Sequence, residues 1–316
     1  MNIVIASHID EAAVSSLRAQ HNIDEAVGLP EERLADKLRD CDVLVFRSGV
    51  RIGKEVLRTA TKLRLVVRAG CGVDNVDLEY LRFRGIQLHR IPQPGALAVA
   101  ELAFALMLSL ARRVREADQS LRAGHWAKHE IEGHLLYGSV LGIVGAGNIG
   151  SRTGEIGAAL GMKVIGCVES PNDNIERVLA RKQIRLTTLS EVLSQSDYIS
   201  IHVPLQGSTR NLIDAAALAK VKTGVIIVNL ARGGVVDEQA MLAALLSGKV
   251  RGAALDVHER EGEGAISPLA ALPNVLLTPH IGAETQETKR QIGERIVEII
   301  RNFADEQSLI ESAASA

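Results

Sequence analysis

The sequence is poor in cysteine and in aromatic residues. Its 316 residues include only three cysteines, Cys41, Cys71 and Cys167, an odd number without regular spacing. They cannot form a disulfide framework, so we expect free thiols and a reducing compartment. Aromatic residues make up 3% of the chain although hydrophobic residues make up 47%. The core must therefore be built from aliphatic side chains, as in parallel sheets covered by helices on both faces.

An excess of charge of one sign is also lacking. Lys and Arg number 36 against 38 Asp and Glu, for a net charge of −2, which argues against nucleic-acid and polybasic membrane partners. The longest apolar run, 96–111, contains Glu101 and is shorter than the roughly 20 residues of a membrane-spanning helix. The first residues lack the basic region and the long apolar stretch of a secretory leader, so none is expected, and no ligand spacing predicts a metal site. We expect a cytoplasmic protein.

Short β-branched runs alternate with amphipathic segments, a pattern that indicates repeated βαβ units. In the first third of the chain, strands are predicted at 2–6, 42–46 and 64–67, and helices at 11–20 and 31–39. A second series of strands is predicted at 140–144, 163–168, 197–202, 225–229 and 252–256. The predicted fold class is α/β, with two doubly wound, Rossmann-like parallel sheets.

Two long helices are predicted to connect the two series. One, 96–115, follows the helix breakers Pro92, Pro94 and Gly95. The other, 284–304, has apolar residues at helical spacing, namely Ile292, Ile296, Ile299 and Ile300. Two crossings would make the first domain discontinuous. The predicted domains are 1–98 plus 283–316, which would bind the substrate, and 99–282, which would bind a nucleotide.

The glycine-rich segment Gly145-Ala-Gly-Asn-Ile-Gly150 follows the predicted strand 140–144 and opens a helix. In that context it predicts a dinucleotide site: Gly145 allows the turn, Gly147 lets the pyrophosphate approach, and Gly150 lets helix and strand pack closely. Amides at the helix N-terminus, including those near Asn148 and Ile149, would face the phosphates. An ordinary glycine-rich turn is the alternative.

An acidic residue is expected at the end of the next strand, where it bonds the adenosine ribose. Glu169 stands there, one residue later than the fingerprint requires. A carboxylate in that place repels a 2′-phosphate, so NAD is favoured over NADP. The alternative is that Glu169 is a solvated loop residue.

Three polar segments follow later strands of the second series, at the sheet edge where ligands of α/β proteins bind; they are 229–238, 254–261 and 278–285. With 68–77 and 92–112, they make the sequence resemble the D-2-hydroxyacid dehydrogenase family along essentially the whole chain, and its 3-phosphoglycerate dehydrogenase branch most. The resemblance implies an NAD-dependent oxidoreductase and a homodimer. Because the sequence ends soon after the last predicted helix, we also expect a short form of the dehydrogenase, without the regulatory domain of the longer relatives.

By this resemblance Arg232, Glu261 and His280 are the catalytic residues. Reduction of a 2-oxo acid needs a proton donor beside the carbonyl oxygen, a role that suits His280. Glu261 would orient His280 and favour its charged form. Arg232 would hold the substrate carboxylate with its planar fork.

The choice of Glu261 rests on its spacing of five residues from Asp256. Glu259 and Glu263 are the alternatives, and Gly262 stands where the family usually has proline. The resemblance also places Asp256 near the nicotinamide carboxamide. Further cofactor contacts are expected from Val203, Pro204, Thr209, Leu230, Ala231 and Gly282, each of which could instead be a core or turn residue.

On the substrate side, two loops of the first domain resemble those that bind the acid group in relatives. They contribute Arg47, Ser48, Cys71 and Gly72, and a glycine-flanked loop can form a small anion nest. A plain strand-to-helix turn is the alternative. Cys71 is not expected to be a nucleophile, since hydride transfer needs none.

The leading substrate by resemblance is 3-phosphoglycerate with its oxidised partner phosphohydroxypyruvate. The loop 92–96 departs from the asparagine-rich loop of phosphoglycerate-specific relatives, although Lys128 and His129 remain as candidate phosphate contacts. Sulfolactate and glycerate or hydroxypyruvate are therefore the alternative substrates. A non-catalytic, NAD-sensing protein like the co-repressors of this fold is a further alternative.

Overall fold

The protein is described by a computed structural model that covers residues 1–70 and 72–314. The chain forms two compact units. Unit 1 comprises Met1–Gly95 and the segment that begins at Ala283, and unit 2 comprises Ala96–Gly282. The predicted boundaries are 98/99 and 282/283, and the assignment of substrate binding to the discontinuous unit stays a prediction.

Unit 1 contains a five-stranded parallel sheet in the order β2-β1-β3-β4-β5. The strands are β1 (Asn2–Ile5), β2 (Asn22–Glu25), β3 (Val43–Phe46), β4 (Leu65–Arg68) and β5 (Gln87–Arg90). The helices are α1 (Glu11–Arg18), α2 (Glu31–Lys37), α3 (Lys54–Thr59), α4 (Leu78–Arg84) and, at the end of the chain, α12 (Gln286–Ala314).

Alternate residues of the central strands of unit 1 enter two separate hydrophobic clusters. Leu44 and Phe46 of β3 pack with α2 and α3, whereas Val43 and Val45 pack with α1 and with the predicted isoleucine row of α12. Both faces of the sheet are thus covered by helices, which explains why the inner strands are apolar at most positions.

Unit 2 contains a seven-stranded parallel sheet in the order β12-β11-β10-β9-β6-β7-β8. The strands are β6 (Val140–Val144), β7 (Lys163–Cys167), β8 (Ile184–Leu186), β9 (Tyr198–Ile201), β10 (Val225–Asn229), β11 (Val250–Leu255) and β12 (Val275–Leu277). The helices are α5 (Pro94–Ala111), which enters from unit 1, α6 (Val114–Arg122), α7 (Asn148–Ala159), α8 (Asp173–Arg181), α9 (Leu189–Gln195), α10 (Ala215–Lys220) and α11 (Glu238–Leu246).

The strand order of unit 2 reverses between β6 and β9, the place where doubly wound sheets bind ligands outside their carboxyl ends. The glycine-rich segment follows β6 directly. The predicted α/β fold with two doubly wound parallel sheets is confirmed.

Two predicted helices are wrong in their extent. The helix predicted for 284–304 begins at Gln286 and continues to Ala314. The helix predicted for 96–115 ends at Ala111, because Arg113 adopts a left-handed backbone with φ of 51° and α6 begins at Val114. The helix α5 is by length and composition apolar enough to cross a membrane. Such a signal is weak evidence, since nine of its residues are buried in the fold, as in the core helix of a soluble protein.

Candidate active site

The structure brings together two of the three predicted catalytic residues, both in unit 2. His280 Nδ1 lies 3.1 Å from Glu261 Oε2, and the other carboxylate oxygen accepts the backbone N–H of His258 at 3.2 Å. Burial raises the pKa of the Glu261 carboxyl, but the hydrogen bond and the charge of His280 lower it by more, so the net pKa shift is downward. Glu261 is therefore ionised at neutral pH and suited to hold an imidazolium.

The turn that carries His280 is held by Asp256, which is 1% exposed at the end of β11. Asp256 Oδ1 accepts hydrogen bonds from Thr278 Oγ1 at 2.6 Å and from the Ile281 N–H at 2.8 Å. Asp256 Oδ2 accepts the Gly282 N–H at 2.8 Å. His280 itself has a φ of 57°, an unfavourable left-handed conformation that persists only when its surroundings impose it. The Asp256 carboxylate supplies that constraint.

Arg232 lies on the loop after β10, which the buried Asn229 braces from within. Asn229 Oδ1 accepts the Ala231 N–H, and its Nδ2 donates to the Arg232 carbonyl, both at 3.1 Å. A Cβ at Gly233 would collide with the His258 carbonyl oxygen. Only glycine therefore allows the Arg232 loop to pack against the loop that carries Glu261.

Glu259, the alternative to Glu261 as the partner of His280, instead forms hydrogen bonds with the start of α11. Its Oε1 accepts the Glu238 N–H at 3.0 Å, while the buried Glu238 accepts the Glu259 N–H at 2.8 Å and the Ser267 hydroxyl at 2.7 Å. This reciprocal pair ties the first turn of α11 to the 258–267 loop. Sequence reasoning missed Glu238, because nothing in the pattern distinguishes a buried helix-start glutamate from an exposed one.

The glycine-rich segment fits a dinucleotide pyrophosphate. Gly145 has a φ of 92°, and a Cβ there would lie 2.7 Å from Val203 Cγ1. A Cβ at Gly150 would strike the Gly145 carbonyl oxygen, whereas a Cβ at Gly147 would meet no protein atom within 4 Å. Packing thus explains the first and third glycines. The second needs another reason, and the close approach of a phosphate to the N-terminus of α7 is the one that the motif predicts.

The other predicted cofactor residues line the carboxyl edge of the same sheet or its loops. Asn148 is exposed and Ile149 is half-buried at the start of α7, while Leu230, Ala231 and Gly282 are buried. Thr209 is buried and donates to the Pro204 carbonyl at 2.6 Å, so it braces the loop after β9. Glu169 is exposed after β7, with its carboxylate 3.3 Å from Gln206 Nε2. Their contacts with a cofactor stay predictions.

Behind the glycine-rich segment lies an imidazole that the sequence did not single out. His202 Nε2 lies 2.8 Å from Ser200 Oγ and 3.1 Å from Thr153 Oγ1, which joins β9 to α7. Its Nδ1 is buried without a hydrogen-bond partner among the described residues. Burial lowers the pKa of His202 from 6.5 to about 3, so the ring is neutral at physiological pH.

This histidine should make the protein acid-sensitive. As the pH falls below 6.5, the unfolded chain protonates His202 while the folded protein does not, which lowers the free energy of unfolding by about 1.4 kcal/mol per pH unit until the pH approaches 3. Urea unfolding at pH 7.5 and 5.0 should show that His202→Gln loses about 2 kcal/mol less than the wild type. The exposed His125→Gln is the control and should behave as the wild type. An equal loss in all three proteins would contradict the assignment.

The predicted substrate residues of unit 1 lie on loops at the carboxyl edge of its sheet. Arg47 follows β3, and its backbone N–H donates to Ser7 Oγ at 2.9 Å. Ser48 is exposed, Gly72 is half-buried, and Cys71 lies outside the described residues. The structure adds a partner that sequence reasoning missed, because Arg47 Nη2 lies 2.5 Å from Glu284 Oε1.

Two other predicted features are located by the structure. Lys128 and His129, the candidate phosphate contacts of unit 2, are exposed on a turn after α6. Within residues 1–70 and 72–314, no group of three or more His, Cys, Asp or Glu side chains lies close enough to hold a metal ion.

Comparisons with known proteins identify what this chain resembles. The family model described as D-isomer specific 2-hydroxyacid dehydrogenase, NAD binding domain, matches residues 104–282. The D-3-phosphoglycerate dehydrogenase of Methanocaldococcus jannaschii is 38% identical over 95% of this chain and 57% of its own length. The hydroxypyruvate reductase of Thermotoga maritima is 40% identical over 86% of this chain and 88% of its own. The chain thus spans little more than half of the phosphoglycerate dehydrogenase.

Solved structures agree with these sequence relatives. The D-lactate dehydrogenase of Aquifex aeolicus, crystallised with NAD and lactic acid, superposes with a TM-score of 0.85. It is 28% identical, and the match covers 97% of this chain and 96% of that one.

Proposed function

Since the chain belongs to the D-isomer-specific 2-hydroxyacid dehydrogenase family, we propose that it transfers a hydride between NAD and a small anionic D-2-hydroxy acid. The hydrogen bond between His280 and Glu261, 3.1 Å long, is the observation that carries this proposal. It joins a general acid to a carboxylate that stabilises its charged form, and family membership alone does not require that arrangement to be intact.

When bound, the nicotinamide gives a hydride to the substrate C2 atom or takes one from it. His280 handles the accompanying proton. Its Nδ1 is bonded to Glu261, so Nε2 is the nitrogen that donates a proton to the carbonyl oxygen during reduction and accepts it during oxidation. Arg232 is assigned to the substrate carboxylate, which a guanidinium binds with two parallel hydrogen bonds.

Two substrates lead the proposal. The phosphoglycerate dehydrogenase relatives support 3-phosphoglycerate, and the relative from Thermotoga maritima supports glycerate with hydroxypyruvate. The test is NADH oxidation by the purified protein with phosphohydroxypyruvate, hydroxypyruvate and sulfopyruvate, repeated with NADPH. A preference for the phosphorylated acid would indicate serine biosynthesis. Absence of turnover with all three would refute the dehydrogenase proposal and favour an NAD-sensing protein.

We also propose that the protein is a homodimer through unit 2. Large apolar side chains are exposed along α6 and the segment after it, among them Leu121, Trp126, Leu135 and Tyr137, which are 59–76% exposed. Large apolar side chains left exposed close together in the chain are typical of protein–protein contacts. Sedimentation at micromolar concentration should give a dimer, and Trp126→Ser with Tyr137→Ser should shift it to monomer. A monomeric wild type would contradict the proposal.

A cytoplasmic location accompanies the proposal. It rests on the free, buried thiols of Cys41 and Cys167, which suit a reducing compartment.

A further inference from the structure

Arg47, the predicted anion-binding side chain of unit 1, is paired with a carboxylate of the same unit. Its Nη2 lies 2.5 Å from Glu284 Oε1, and Glu284 Oε2 lies 2.9 Å from Lys289 Nζ. The Arg47 side chain is only 13% exposed, so this ion pair is screened less by water than the surface pairs of the protein. We call Arg47, Glu284 and Lys289 the charge triad.

Both sides of the triad are held by rigid elements. The Ser7 hydroxyl at the end of β1 fixes the backbone of Arg47. On the other side, Thr285 Oγ1 accepts the Thr288 N–H at 3.1 Å and thus caps the start of α12. Close packing fixes the segment before the helix as well, since a Cβ at Gly95 would lie 3.2 Å from the Ala283 Cβ. Glu284 is therefore placed against Arg47 by the fold and not by a mobile loop.

The triad carries one net positive charge. Burial raises the pKa of the Glu284 carboxyl, while Lys289 and Arg47 together lower it more, so that the net pKa shift is downward. Glu284 is then ionised at neutral pH and offsets one of the two cations. An anion that approaches Arg47 meets a guanidinium whose field is partly cancelled by the adjacent carboxylate.

We propose that Glu284 determines the charge selectivity of the substrate: the group that contacts Arg47 carries one negative charge, as a carboxylate or sulfonate does, and not the two of a phosphate monoester. A phosphate monoester carries close to two negative charges at pH 7, and its second charge gains little from Arg47 while it is repelled by Glu284. This inference rests on the proposed function, in which Arg232 holds the carboxylate, and within it selects sulfopyruvate, whose sulfonate carries one charge, over phosphohydroxypyruvate.

The decisive variant is Glu284→Gln, which removes the charge and keeps the size and a hydrogen-bonding group beside Arg47. We expect the wild type to prefer sulfopyruvate over phosphohydroxypyruvate. In the variant, the ratio of kcat/KM for phosphohydroxypyruvate to that for sulfopyruvate should rise at least about tenfold, since unit charges this close interact strongly outside bulk water. Glu287→Gln, an exposed position in the first turn of α12, is the matched control and should leave the ratio unchanged.

Calorimetric binding of both acids in the presence of NAD, which has no hydride to give to a 2-oxo acid, separates this inference from the proposed function. Glu284→Gln should gain at least about tenfold in affinity for phosphohydroxypyruvate, whether or not either acid is turned over. Lack of turnover with every acid would refute only the proposed function. An unchanged selectivity of Glu284→Gln in both assays would overturn the inference. If the Tm of the variant were also lowered, the triad would have only the structural role of tying α12 to the loop after β3. A wild type that prefers phosphohydroxypyruvate would overturn it as well.

Discussion

Replacement of His280 by glutamine should lower kcat about a thousandfold, within the range by which positioned general acids accelerate proton transfer. Glutamine can fill the place of the ring and accept or donate a hydrogen bond, but it cannot give up a proton at neutral pH. Binding of NADH should persist, because the glycine-rich segment at the end of β6 does not depend on the imidazole. Steady-state kinetics measures the loss of kcat, and fluorescence titration with NADH measures cofactor binding separately.

His89→Gln is the matched control, since His89 is exposed on the edge strand β5. It should retain the wild-type kcat. Undiminished turnover in His280→Gln would exclude His280 as the acid–base residue. A Glu261→Gln variant should show a smaller loss of kcat, because it keeps a hydrogen bond to the ring and removes only the charge that stabilises the imidazolium.

Replacement of Asp256 by asparagine should lower kcat at least about a hundredfold, because it releases the turn that holds His280 in place. A misplaced His280 loses part of the roughly thousandfold acceleration that general acid catalysis provides. The carboxylate accepts three hydrogen bonds across its two oxygens. An amide has one oxygen and an NH₂ group, which would face a backbone N–H donor. Leaving a buried donor unsatisfied costs about 1–3 kcal/mol, so the free energy of unfolding should fall by a similar amount.

Thr278→Val provides the graded comparison, since it removes only one of the three donors. It should cost about 1 kcal/mol and leave kcat within tenfold of the wild type. The sequence-based expectation places Asp256 beside the nicotinamide carboxamide, and the two roles differ in their kinetics. If Asp256→Asn weakens NADH binding but leaves kcat intact, the cofactor contact is correct and the positioning role is wrong.

The strands that could be predicted from the sequence are those buried on both faces. Runs such as those of β3 and β10 are buried at every position and almost entirely apolar because helices cover both sides of the sheet. The missed strands β2, β5, β8 and β12 are the edges of the two sheets. Strands such as Asn22–Glu25 and Gln87–Arg90 are polar and partly exposed. Their extended conformation depends on pairing with a neighbour, which leaves no hydrophobic pattern.

The functional side chains divide in the same way. Arg232, Glu261 and His280 could be proposed because each stands in a motif that resembles the family's. In the structure each of these motifs follows a strand, at the edge of a parallel sheet where ligand-binding groups gather. The groups that hold these three side chains in place could not be named from the sequence. The structure shows that the Asp256 carboxylate accepts three hydrogen bonds from the His280 turn, whereas its predicted contact with the cofactor stays a prediction.

Local periodicity and residue types at fixed spacing are enough to predict the class of fold and the glycine-rich dinucleotide segment. The role of His280 as the acid–base residue is implied by the resemblance of its motif to the family and stays a prediction. The partner of each carboxylate emerges only from the three-dimensional arrangement: Glu261 pairs with His280, Glu259 with the start of α11, and Glu284 with Arg47. A hydrogen bond or ion pair depends on distances of a few ångströms between residues far apart in the chain, and no local pattern encodes those distances.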